Sequence, residues 1–182
     1  MPTIQKAKLN NSITREQLAK MMVQFMSKVL DKKPIKTDTP DYDDVKVETR
    51  GQEMYDFVTL AYQYQIMGID ANGNALKKFK PTGTVSRAEF ATVLSRVLFG
   101  SAYNQNSGNY RELHIQALNK VGILTNTNPT ITELRGWILL MLYRSRNIKI
   151  EPKATTPAEE ATPSEEATPT DQSDENKSEE SE

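Results

Sequence analysis

The sequence lacks cysteine altogether, so neither a disulfide framework nor a thiolate metal site is available. Histidine occurs once, at position 114, which excludes a multi-histidine metal centre. No long apolar run exists. The longest, WILLMLY at residues 137–143, falls far short of the ~20 residues needed to span a bilayer. The opening stretch MPTIQKAKLNNS has no apolar core of the kind a signal peptide needs. If the chain is secreted, its signal is expected to have been removed or to lie upstream. From position 151 onward there is no aromatic residue and no Leu, Ile, Val or Met. Such a segment cannot bury enough apolar surface to offset the entropy of ordering it. Residues 151–182 are therefore expected to form a disordered acidic tail rich in Pro, Thr and Glu. Its repeats ATTPAEE, ATPSEE and ATPTDQ suit an extended spacer.

Catalytic patterns are also missing. There is no Gly-x-Ser-x-Gly and no phosphate-cradling glycine loop. No enzyme activity and no cofactor are expected. The stretch Asp70-Ala71-Asn72-Gly73-Asn74 suggests calcium, yet the sixth and twelfth places of an EF-hand counted from Asp70 hold Ala75 and Pro81. No metal site is expected there, and the acids Asp41, Asp43 and Asp44 read as a turn.

What is present is charge asymmetry and helical periodicity. The overall net charge of −1 conceals a tail in which eleven acids face only Lys153 and Lys177, a net of −9. Residues 1–150 carry a net of +8. A basic body attracts polyanions: nucleic acid, acidic glycans or anionic membrane. Apolar residues recur at three- and four-residue spacing from Leu18 to Val29, which predicts a first helix. Thr14 and Gln17 form a capping box at its start, and Lys32-Lys33-Pro34 closes it. A second helix is expected over residues 50–67, ended by Gly68. A third starts at Ser86, with Glu89 completing its capping box, and stops at Gly100. A fourth runs from Tyr110 to Gly122, with His114 on its apolar face. A fifth ends near Arg146. Its centre WILLMLY is apolar all round and is expected to be buried on every side, Trp137 included. The expected fold is all-α, a small bundle of about five helices.

The helices repeat. Ile13-Thr14-Arg15-Glu16-Gln17-Leu18-Ala19 is similar to Val85-Ser86-Arg87-Ala88-Glu89-Phe90-Ala91, and Arg135 falls on Arg87 in the same frame. Met67-Gly68-Ile69 and Val121-Gly122-Ile123 each close a helix before a loop. Tyr42-Asp43-Asp44-Val45, Gly68-Ile69, Phe79-Lys80-Pro81 and Val85-Ser86-Arg87-Ala88-Glu89-Phe90 follow one another in the order of an S-layer homology repeat, and the segment resembles that family. The resemblance implies a pseudo-threefold bundle. It divides the chain into a partial first repeat at residues 1–36, a complete one at 37–100, a degenerate third at 101–150 and the tail. It implies a secreted bacterial cell-surface module that binds cell-wall polysaccharide in grooves between repeats, with Arg87, Arg15 and Arg135 as groove residues. An arginine in the first helical turn, beside unsatisfied backbone N–H groups, would suit an acidic glycan. Family repeats commonly carry His-Trp after the opening motif, and residues 46–53 hold neither. A structural repeat contacting other surface proteins therefore stays open. A nucleic-acid binder with an acidic tail is the remaining rival, against which stands the spread of basic residues along the chain.

Overall fold

The computed structural model describes residues 4–105, 109–146 and 148. The expected disordered tail lies outside the described residues. Six α-helices follow one another: α1 (Arg15–Gln24), α2 (Val47–Arg50), α3 (Gln52–Gln63), α4 (Arg87–Phe99), α5 (Tyr110–Lys120) and α6 (Arg135–Ser145). Among the described residues β-pairing is confined to isolated bridges. No helix there is long and apolar enough to cross a membrane.

Two helices differ from their expected limits. The first runs on past α1 as a π-helical turn, Phe25–Val29, in which the Leu30 N–H reaches the Phe25 carbonyl. That wider turn rotates the last residues off the apolar stripe, and Val29 is exposed. The second begins only after Gly51, whose φ of 78° sets α3 apart from the short α2 that ends where the expected range begins. It also stops earlier, at Tyr64, because Gln65 takes a left-handed conformation.

The core forms where α1, α4 and α6 each contribute the same register. Leu18, Phe90 and Ile138 make one buried set, and Met22, Leu94 and Leu142 another. Helix α3 packs on α1, and α5 packs on α4. In the described residues no corresponding helix lies on α6. The difference shows in the side chains. Ala19 and Ala91 are fully buried, whereas Leu139 at the same register is 44% exposed; Val23 and Ser95 are buried, whereas Tyr143 is 60% exposed. WILLMLY is thus buried on one side only, contrary to its composition.

His114 sits on the buried side of α5, edge-on to the Tyr103 ring. Burial, with Arg96 adding repulsion, pushes its pKa down to about 4 from the ordinary 6.5. The folded state therefore holds the imidazole neutral where the unfolded chain protonates it. This contribution is complete above pH 6.5 and is lost as the pH falls toward 4. The expected slope is up to about 1.4 kcal/mol per pH unit. The urea midpoint should fall further between pH 7 and pH 4.5 for the native chain than for His114→Gln, since the carboxylates shared by both chains cancel. Parallel slopes would contradict the burial argument.

Candidate functional site

The helices α1, α4 and α6 begin alike. Thr14, Ser86 and Leu134 occupy the N-cap in extended conformation. Each pairs with the residue two before the next cap: Thr14 with Thr84, Ser86 with Thr132, Leu134 with Ser12. The first two helical N–H groups then donate to the loop of the following repeat. Arg15 N reaches Gly83 O at 2.9 Å and Glu16 N reaches Pro81 O at 3.0 Å. Arg87 and Ala88 do the same with Ile131 and Pro129, and Arg135 and Gly136 with Asn11 and Leu9. The third N–H of α1 and of α4 is taken by the Thr14 and Ser86 hydroxyls, with Gln17 and Glu89 closing the boxes. The cycle closes: first repeat to second, second to third, third to first. It also corrects the anion argument. The helix-start N–H groups are not left unsatisfied beside the arginines, because neighbouring carbonyls already hold them.

The three arginines stand at the first helical position of each start and point into the joints. Arg15 donates through Nε to Phe79 O at 2.7 Å and through Nη1 to Glu89 at 3.1 Å, with its guanidinium 5.2 Å from the Phe79 ring centre. Its side chain keeps 16% exposure. Arg135 donates to Gln17 Oε1 at 2.8 Å. Both therefore meet the third helical residue of the next repeat. For Arg87 that residue is Trp137, which has no acceptor. Its fork turns to Glu133 instead, Nε at 2.5 Å and Nη2 at 3.3 Å, while Nη1 donates to Asn126 O. Glu133 is fully buried, at the position held by Ile13 and Val85 in the other repeats. The bidentate geometry expected of Arg87 toward a ligand is thus spent inside the protein. The structure brings the three arginines to equivalent joints, with three different partners and not into one common pocket.

The opening motif has an evident local purpose. The Tyr42 hydroxyl donates to Gly68 O at 2.9 Å, and its ring tilts against Phe79. Both Asp44 oxygens accept backbone N–H groups, from Phe79 and Lys80, each at 2.8 Å. These bonds hold the loop that feeds Gly83 and Pro81 to α1. Earlier in the same connection, Asp70 accepts from the Asn72 and Asn74 backbones and from the Asn74 amide. Those bonds, the Asn74 backbone foremost, lower its pKa, and they leave the carboxylate occupied rather than turned to a cation.

Residues 49–91, which run from α2 into α4, match the family model of the S-layer homology domain. Over these residues the chain carries an S-layer homology domain, and domains of this kind serve in general in cell-surface anchoring. No curated protein matches the chain.

Among the described residues, two clefts of like register open between successive repeats. The first, about 180 Å³, lies between Arg15 and the second repeat. Its walls include Gly68, Ile69, Lys78, Lys80, Glu89 and Arg96. The second, about 240 Å³, lies between Arg87 and the third repeat, with Ile123, Leu124, Trp137, Leu140 and Arg144. The two share one register: Trp137 takes the place of Glu89, Leu140 of Thr92, Met141 of Val93, and Arg144 of Arg96. Placing Arg144 on Arg96 was already possible from the repeat. Glu133 carried a signal as well, as a charged residue aligned with apolar Ile13 and Val85. The cleft position of Trp137, 54% exposed, runs against its apolar surroundings in sequence. Lys78 and Lys80 had no signal beyond their charge.

Proposed function

We propose that this module attaches a protein to the outside of a bacterial cell by binding cell-wall polysaccharide in the two clefts between repeats. The observation that carries the reading is the first cleft. Five cations, Arg15, Lys78, Lys80, Arg96 and Arg111, border it against the single acid Glu89. A concave surface with one sign of charge concentrates counter-ions, here acid groups on a glycan. Arg15 is the arginine placed to touch the ligand. Arg87 and Arg135 set the walls of the joints. The tail serves as a spacer. In co-sedimentation with sacculi of the source organism, the full chain should pellet. Replacing Lys78 by Gln and Lys80 by Asn together should weaken binding about tenfold at low salt, with no change in melting temperature, because both side chains are exposed. Asn suits position 80, where φ is 61°. Absence of the native chain from the pellet would overturn the proposal.

A further inference from the structure

We infer that the second cleft takes an uncharged sugar ring laid on Trp137, a ligand chemistry different from that of the first cleft. This rests on the cell-wall reading above and divides it between two sites.

One difference between repeats sets the second cleft apart. The third helical residue is Gln17 in α1 and Glu89 in α4, each an acceptor for the preceding arginine. In α6 it is Trp137, and nothing on the described surface covers more than about half of it. An exposed indole beside an apolar floor is a flat platform with polar positions at its edge. Leu140, 36% exposed, gives that floor its surface, and Ile123 and Leu124, both essentially inaccessible, back it from beneath. The edge is supplied by Thr125, Asn126 and Arg144. A pyranose offers the complementary surface, with one apolar C–H face and a rim of hydroxyls.

Charge separates the two clefts. In the second, Arg87 is neutralised by the buried Glu133. Arg144 alone remains as a cation on its wall, with one nitrogen committed to Ile123 O at 3.2 Å. The first cleft faces its ligand with several lysines and arginines around one glutamate. The missing acceptor at position 137 therefore does not make a stronger anion site. The acceptor for Arg87 sits in the core at position 133, and an aromatic face occupies the third helical position of α6.

Trp137 is the sole tryptophan of the chain, so its emission reports from this cleft alone. The test uses the full chain and polysaccharide released from sacculi of the source organism. One portion is left untreated. The other is neutralised, with carboxylates capped as amides and phosphodiesters removed. Both portions should shift the emission to shorter wavelength, with half-saturation within about threefold of each other and insensitive to added salt. Trp137→Ala should weaken sedimentation with the neutralised polymer at least about tenfold, and Trp137→Tyr should restore most of it, while neither variant melts earlier. A shift seen only with the untreated polymer would overturn the inference, because the cleft would then require acid groups. Binding of untreated polymer with unchanged emission would also overturn it, and would leave the first cleft and the cell-wall reading standing. Failure of both portions to bind would sink the cell-wall reading and this inference with it.

Discussion

Substituting Arg87 by alanine is expected to destabilise the folded part of the chain by about 3–5 kcal/mol. The reason is the partner left behind. Glu133 has no exposure, and Arg87 supplies both of its side-chain hydrogen bonds. Without the guanidinium, a carboxylate remains in the core with no counter-charge. The same truncation at Arg15 should cost only about 1 kcal/mol, since that pair keeps access to water and is screened. Removing both members of the buried pair, as Arg87→Leu with Glu133→Val, should recover most of the loss, because valine already fills this position at residue 85. Urea unfolding of the four chains measures all three differences. A cost below about 1 kcal/mol for Arg87→Ala would mean that Glu133 finds water, and the buried-pair argument would fall.

Gly68→Ala should cost about 3–5 kcal/mol, combining overpacking with left-handed strain. Gly68 has φ of 71°, and a methyl group there would overlap the Tyr42 hydroxyl and stand 2.7 Å from its Cζ. Tyr42 cannot yield, because its ring lies fully buried against Phe79. Gly122 is the internal control. It closes α5 with φ of 74°, and a methyl group there meets nothing within 4 Å. Gly122→Ala should therefore carry only the backbone strain, about 1–2 kcal/mol. Thermal or urea unfolding separates the two effects. Equal losses at both glycines would show that strain alone, and not the tyrosine, fixes residue 68.

The helices were legible in the sequence because capping and periodicity are local. Ser86 with Glu89, and Thr14 with Gln17, mark helix starts from four residues each. The repeat was legible for the same reason. What sequence reading missed is set by distant partners. Whether WILLMLY is buried depends on a helix packing over Leu139 and Tyr143, and no property of those residues reveals whether one does. The role of Arg87 depends on Glu133, forty-six residues later in the chain. An arginine at a helix start reads as open to a ligand until the acceptor opposite it is known. Gly51 is the intermediate case. A glycine at the expected helix start was visible, and its left-handed backbone, which sets the short α2 apart from α3, was not.

The cycle of main-chain bonds at the three helix starts has a consequence for how the repeats can diverge. Amide and carbonyl groups are the same for every residue type except proline, which lacks the N–H. Joints made from them survive drift in the side chains they carry. Leu134 stands where Thr14 and Ser86 offer a hydroxyl, and α6 begins in the same geometry without it, because the Asn11 and Leu9 carbonyls hold its first turn. One repeat is thereby free to give up its cap and its glutamate and to acquire a new surface. The same closure couples the repeats in folding. Each start is completed by the loop of its neighbour, so opening any joint strips hydrogen bonds from two repeats at once. Unlike a linear stack of repeats, which can fray from either end, a closed cycle has no terminal unit and should lose its order as a whole.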